Sequence, residues 1–241
     1  MRMIPEHVVA AFQLEGSGSP LGAPWDFGRK FGNVVIAPAS PTAAWSGKTR
    51  EKLADAIPGL HVARPVRATD GRLVVGGYCA NEFAPGAPAA RVDEAMAGAL
   101  LLDEALTPFA PPSPASRTGM WADAERAAWR DFDGDVPTGG LVTAHMDLLA
   151  CCLFAGKDAP VLSALVPSVE PRPRGYTAAQ VMVDGLLVRA VDEGVIGRWA
   201  HVPHLLELAE RALKYREITG EATIANVRSD ISRVRELIMS A

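Results

Sequence analysis

Cysteine is scarce in this chain. Cys79, Cys151 and Cys152 are odd in number and two are adjacent, so disulfides cannot frame its 241 residues. Such usage fits a reducing compartment, and a cytoplasmic location is expected. Long hydrophobic runs are also missing. The longest candidate, residues 180–191, is broken by Asp184 and Arg189 and falls short of the roughly 18 residues that cross a bilayer. Near the start, Pro5, Glu6 and His7 interrupt any signal-peptide core, so no membrane role is expected. A basic excess is lacking too. Lys plus Arg total 24 against 28 Asp plus Glu, and the arginines are dispersed, which argues against a nucleic-acid surface. There is no Gly-x-Ser-x-Gly nucleophile turn. What is present is apolar material, 49% of residues, enough for a sizeable core. The heavy use of Ala, Gly, Pro, Val and Arg points to a GC-rich genome.

The spacing of apolar residues predicts a mixed N-terminal part and a helical C-terminal part. Residues 4–12 read as a short helix and 33–37 as a strand stopped by Pro38. Residues 41–57 read as a helix with Ala44, Trp45, Leu53, Ala56 and Ile57 on its inner face, ended by Pro58-Gly59. Residues 60–67 and 73–83 form a β-hairpin around Thr69-Asp-Gly-Arg72. The Pro/Gly-rich stretch 84–90 sets a boundary between a small lobe, 1–84, and a larger one, 85–241. Helices follow at 91–106 and 119–132, the second burying Trp121, Ala128 and Trp129. Residues 141–144 are a strand, and 152–155 with 160–165 a small hairpin. Beyond Pro173 come helices at 177–193, 196–218 and 222–239, with Pro203 interrupting the middle one.

His145-Met-Asp147, on a strand-loop-hairpin in a helical lobe behind a small sheet-bearing lobe, resembles the catalytic loop of the aminoglycoside phosphotransferase and choline kinase branch of the protein-kinase-like fold. Val34-Val-Ile-Ala-Pro38, Ala43-Ala-Trp45, Ala63-Arg-Pro-Val-Arg67, Leu153-Phe-Ala-Gly156, Val181-Met-Val-Asp-Gly-Leu186 and Gly197-Arg-Trp199 are similar to an uncharacterised actinobacterial family of that branch. The resemblance implies an α+β, two-lobed kinase-like fold: a small lobe with an antiparallel sheet and a helical lobe carrying a degenerate catalytic loop, 143–165.

Phosphoryl transfer in such a fold rests on placement and charge neutralisation. The resemblance implies a small-lobe Lys for the phosphates, a loop Asp as base, an Asn for Mg²⁺ and a second metal-binding Asp on the hairpin. Here Ala37 stands at the Lys position, Cys151 or Cys152 at the Asn position, and Ser163 where the metal Asp belongs. Met146 replaces the glycine between His and Asp, and a bulky residue there is expected to restrict the backbone that aims Asp147. Lys30, read in a turn, and Lys48, on a helix, are the nearest substitutes for the missing Lys. Asp147 survives with His145 beside it, so these two are the candidate catalytic residues, as vestiges. The expectation is a pseudo-phosphotransferase that binds a small ligand or a protein partner and uses no cofactor. One alternative is an active small-molecule phosphotransferase using ATP and Mg²⁺ with Asp147 as base. A second is an unrelated fold in which both residues are structural.

Other signals favour bland readings. Gly16-Ser-Gly-Ser-Pro-Leu-Gly22 lacks a following Gly-Lys-Ser/Thr and reads as a flexible linker rather than a phosphate loop. His145, Asp147, Cys151 and Cys152 offer zinc-type ligands, but no second Cys or His pair accompanies them, so no metal is expected and the cysteines read as small buried residues. His201-Val-Pro-His204 reads as a packing corner. Trp45, Trp121, Trp129 and Trp199 read as core, and Trp25 as a residue that could cover the cleft between lobes.

Overall fold

The computed structural model describes residues 4–53, 56–132, 140–221 and 227–241. They form two compact units, Met1–Pro88 with Ala150–Leu165, and Ala89–Leu149 with Val166–Ala241. In chain order the elements are α1 (Glu6–Ala11), β1 (Ser19–Pro20), β2 (Arg29–Phe31), β3 (Val34–Pro38), α2 (Ala43–Leu53), β4 (His61–Val62), β5 (Pro65–Val66), β6 (Val74–Val75) and β7 (Tyr78–Glu82). Then come α3 (Val92–Leu106), α4 (Met120–Trp129), β8 (Leu141–Val142), α5 (Leu148–Cys151), β9 (Cys152–Leu153), β10 (Val161–Leu162), β11 (Arg172–Pro173), α6 (Tyr176–Leu187), α7 (Val195–Arg198), α8 (Leu205–Glu221) and α9 (Val227–Ser240).

The main sheet of the first unit runs β1-β2-β3-β7-β5, with β6 also on β7, in antiparallel pairings. β3 is rich in β-branched residues and feeds two cores, because successive side chains point to opposite faces. Ile36 packs with Val8, Phe12, Phe31 and Ala80. Val35 turns the other way, to Trp25, Ala63 and Leu153. Alternation places Ala37 on the Val35 side.

Several expectations need correction. The segment 60–67 is not one strand: β4 pairs in parallel with β10, while β5 stays with β7. Pro65, which has no N–H to donate, marks the change of partner. Residues 16–22 are no linker, since Ser19 and Pro20 pair with β2 and the Arg29 guanidinium donates to the Ser17 and Gly18 carbonyls at 2.7 and 2.5 Å. Lys30 lies in β2 rather than in a turn. The inner face of α2 is Ala43, Ser46, Gly47, Thr49, Arg50 and Leu53, whereas Ala44 and Ala56 are exposed and Trp45 is half-buried. This face is built from small residues so that the helix can lie close: a Cβ on Gly47 would come within 2.9 Å of Leu73. Residues 54–55 of the expected helix lie outside the described residues.

In the second unit α6 packs against α3, α8 and α9 and is buried from Tyr176 to Gln180, from Val181 to Val183 and again at Gly185 and Leu186. That full burial accounts for its near-continuous apolar sequence. Pro203 separates α7 from α8, as its sequence position predicts. Trp121 is 48% exposed rather than core. Polar chemistry sets the orientation of α4: fully buried Glu125 accepts from Arg172 at 2.9 and 3.0 Å and from the Val169 N–H at 2.9 Å. Trp129 packs edge-on against the Tyr176 ring at 4.8 Å. Of the expected C-terminal helix, residues 222–226 lie outside the described residues. No helix among the described residues is long and apolar enough to cross a membrane.

Candidate functional site

The two sequence-predicted catalytic residues sit together in the second unit, tied by short-range bonds. His145 is buried, and its Nδ1 accepts from the Asp147 N–H at 3.1 Å. The Val166 N–H approaches the other ring nitrogen at 3.3 Å. A neutral imidazole has one acceptor nitrogen, and the shorter contact is the one that folds the loop back on itself. The His145 N–H donates to Thr177 Oγ1 (3.0 Å), and the Thr177 hydroxyl donates to Asp103 Oδ1 (2.6 Å). Asp103 Oδ2 accepts from the Gly175 N–H at 2.8 Å. Burial pushes the Asp103 carboxyl up to about 6, against the opposing pull of Thr177, Gly175 and Arg174. Thus α3 and the start of α6 together hold the backbone at His145.

Asp147 keeps 49% of its side chain exposed. Desolvation by the surrounding protein raises its pKa, and the charge of Arg216 opposes the rise. Arg216 approaches it at 3.6 Å but is committed elsewhere: it donates to both Asp184 oxygens at 2.6 Å and to the Met146 carbonyl at 3.2 Å. Burial works to lower the Arg216 pKa, yet the Asp184 carboxylate, with Asp147 behind it, raises it overall. Met146 is buried without a left-handed backbone, so the glycine is not needed here for its conformational freedom. Its sulfur accepts from Gln180 Nε2 at 3.5 Å. Sequence reading missed Arg216, Asp184, Asp103 and Thr177. Asp184 inside an apolar helix was the available signal, since a buried carboxylate demands a partner.

Ala37, Cys151, Cys152 and Ser163, the positions expected to depart from a phosphotransferase pattern, belong to the first unit. Ser163 follows β10 and is 2% exposed. Its hydroxyl is within 2.8 Å of the Pro24 carbonyl and 3.1 Å of the Cys151 carbonyl, with both oxygens as acceptors. Pro24 lies in the loop joining β1 to β2, where Trp25 is buried and stacks on Phe83 with ring centroids 5.6 Å apart. The loop also closes on itself through Leu21 N–H to Gly28 O and Gly28 N–H to Trp25 O, each 2.9 Å. Gly28 is required by close approach: a Cβ there would lie 2.5 Å from the Ile36 carbonyl and 3.0 Å from the Ala37 Cβ. So Ala37 lies directly beneath this loop, on a face already filled by apolar side chains.

Arg50, which sequence reading did not single out, reaches the centre of this region. It is 4% exposed and donates to the Ala63 carbonyl (2.8 Å), Asn81 Oδ1 (2.8 Å) and the Ser163 carbonyl (3.4 Å). Its Nε has no partner among the described residues. Burial pushes the guanidinium down to about 10, partly offset by Cys79, Cys151 and Asp26. Cys79, paired with Ala37 across β3 and β7, donates weakly to the Ala37 carbonyl at 3.8 Å, and burial raises its pKa. Lys30 places its ammonium 3.6 Å from the Phe83 ring centroid, and Lys48 is exposed on α2. Cys151 and Cys152 are buried thiols.

A metal fits this region poorly. The Ser163 hydroxyl is neutral, with its single proton directed at the Pro24 and Cys151 carbonyls, and Arg50 is a cation beside it. No group of three His, Cys, Asp or Glu side chains among the described residues is disposed to hold an ion. His204 instead meets Glu207 at 3.1 Å, and His201 stacks on Trp199 at 5.4 Å.

The structure matches that of an aminoglycoside phosphotransferase from Alicyclobacillus acidocaldarius subsp. acidocaldarius DSM 446. The match covers 100% of this chain and 98% of that one, with a TM-score of 0.55 and 14% sequence identity. The fold is kinase-like. A spectinomycin phosphotransferase, crystallised with ADP and spectinomycin, is a looser match at TM-score 0.42 and 9% identity, covering 94% and 91% of the two chains. No family model matches the chain, and no curated protein matches it in sequence. The likeness is therefore one of fold, and the kinase-like architecture expected from His145-Met-Asp147 and the order of elements is observed.

Proposed function

We propose that this kinase-like chain is a pseudo-phosphotransferase, one that binds a small ligand or a protein partner without transferring phosphate. One observation carries the reading. At the hairpin position that should offer a metal-binding carboxylate, the Ser163 hydroxyl is bonded to two backbone carbonyls, and the Arg50 guanidinium lies against the same residue. A divalent cation finds a neutral hydroxyl there in place of a carboxylate and is repelled by a buried positive charge. Without the metal, phosphoryl transfer loses its main source of charge neutralisation. Asp147 then serves the loop: its N–H ties to His145, and its carboxylate faces Arg216.

The second reading is an active phosphotransferase with Asp147 as base. It is favoured by the half-exposed carboxylate and its raised pKa, which bring it closer to a working base at neutral pH. The two readings separate in a phosphotransfer assay with ATP, Mg²⁺ and a panel of aminoglycosides and simple amino alcohols. The pseudo-phosphotransferase gives no turnover above a protein-free control. Turnover that disappears in Asp147→Ala would establish the second reading.

A further inference from the structure

Residues 21–28, between β1 and β2, form a short loop whose base is closed by the Leu21 N–H, which donates to the Gly28 carbonyl at 2.9 Å. Within it the Trp25 and Phe27 N–H groups return to the Gly22 carbonyl, each at 3.1 Å, and the Asp26 N–H returns to the Ala23 carbonyl at 2.9 Å. Bonded to itself in this way, the loop can move as one piece. Its tip is strained. Asp26 and Phe27 are both left-handed, at φ 50° and 53°, a conformation that glycine adopts freely and other side chains resist. Phe27 is 69% exposed, so contacts of its ring do little to offset the strain.

The loop lies over a bed in the same unit that is apolar on one side and charged on the other. Trp25 packs among Val35, Ala63 and Leu153 and stacks on Phe83. The Ser163 hydroxyl donates to the Pro24 carbonyl at 2.8 Å and latches the loop down. The same Ser163 accepts from Arg50 through its carbonyl. The buried Arg50 Nε meets no acceptor among the described residues, an unmet donor that burial makes unfavourable. The other Arg50 nitrogens reach neutral oxygens, and Asp26 of the loop acts on the guanidinium through its charge. Two adjacent loop residues thus bring an aromatic ring to an apolar slot and a carboxylate to the neighbourhood of a buried cation.

We propose that residues 21–28 are an autoinhibitory strap, in which Trp25 and Asp26 stand in for a planar aromatic anion that the first unit binds when the strap opens. The ring of that ligand takes the place of the Trp25 indole against Phe83, and its charge takes the place of Asp26 near Arg50. Strain at Asp26 and Phe27 favours opening, while the Ser163 latch and the burial of Trp25 oppose it. The apparent affinity for the ligand then scales with the open fraction of the strap. The inference rests on the binding function proposed above and names a ligand class for it. Its test involves no phosphate transfer, so the two can fail separately.

Isothermal titration of the full chain with indole-3-acetate, and with neutral indole-3-ethanol as its control, tests the proposal alongside hydrogen exchange at residues 21–28. Ser163→Ala releases the latch. It should speed exchange and tighten indole-3-acetate binding about fivefold, the size of one net hydrogen bond. Phe27→Gly relieves strain in the closed strap and should do the opposite, slowing exchange and weakening binding. A general loss of stability cannot move the two variants in opposite directions. Trp25→Ala, with the plug removed, should bind about tenfold more tightly than the parent and prefer the anion to the alcohol. Adding Arg50→Met to Ser163→Ala should erase that preference for the anion. If Trp25→Ala does not fold, Ser163→Ala and Phe27→Gly decide the question by themselves. Equal affinity for anion and alcohol, no binding of indole-3-acetate to Ser163→Ala at millimolar concentration, or binding that both strap variants leave unchanged would each overturn it.

Discussion

Each unit of this molecule buries an arginine near its candidate site residues, and the two are held differently. Arg216, in the second unit, is matched by charge, with both Asp184 oxygens at 2.6 Å and Asp147 at 3.6 Å. Arg50, in the first, donates to neutral acceptors, two carbonyls and an amide oxygen, with Asp26 acting on it only through its charge, and its Nε has no partner among the described residues. Their pKa values move accordingly, Arg216 up and Arg50 down to about 10. The difference bears on the loss of phosphoryl transfer proposed above. The second unit keeps its carboxylates and its loop geometry. In the first, a cation and a hydroxyl occupy the region where the proposed reading expects a metal-binding carboxylate to be missing.

The largest effect should come from breaking the charged pair. Arg216→Met leaves Asp184 as an uncompensated buried carboxylate and is expected to cost about 3–5 kcal/mol in urea unfolding. Combining it with Asp184→Leu should recover much of the loss, and a double variant no better than the single would show that the pair is not the cause. Asp103 comes next. Its folded pKa of about 6 lies above the ordinary 3.8, so the folded state holds this proton more tightly than the unfolded chain. The resulting stabilisation is fully present below about pH 4 and lost as pH rises through 6, roughly 3 kcal/mol in all. The difference in stability between the parent and Asp103→Asn, measured from pH 4 to 7, should show that slope, and a flat difference would contradict it.

Arg50→Met should cost less than Arg216→Met, about 1–2 kcal/mol. Three hydrogen bonds are lost at about 1 kcal/mol each, while the cost of burying the guanidinium is relieved. A loss as large as that of Arg216→Met would erase the contrast between the two arginines. Ser163→Ala should cost about 1 kcal/mol. Its signature is local: faster hydrogen exchange in residues 21–28 with residues 141–149 unchanged. Acceleration of both segments alike would mean that Ser163 does not act through the Pro24 loop.

Much of this architecture is legible in the sequence where side-chain period and chain breakers agree. Val34-Val-Ile36 gives β3, the apolar run of α6 gives a buried helix, and Pro203 divides α7 from α8. Hydropathy fails where a buried face is not hydrophobic. The inner face of α2 is Ser46, Gly47, Thr49 and Arg50, which reads as a solvated surface until the close approach of Leu73 and the Asn81 acceptor are known. α4 fails in the same way, because buried Glu125, paired with Arg172, sets its orientation while Trp121 is left outside. At the candidate site, the sequence resemblance points to Ala37, Cys151, Cys152 and Ser163 as departures from a phosphotransferase pattern. It does not show what those residues do instead, because the partners of Ser163 lie 139 and 12 positions away.

The central claim is that the first unit has no place for a nucleotide-bound metal. Its most direct test is the thermal unfolding of the protein with ATP in large excess, with and without Mg²⁺. A ligand bound only by the native state, at a hundredfold excess over its Kd, adds about 2.7 kcal/mol of apparent stability. The account predicts no Mg²⁺-dependent rise in Tm. A rise that requires Mg²⁺ and grows with ATP concentration would contradict it.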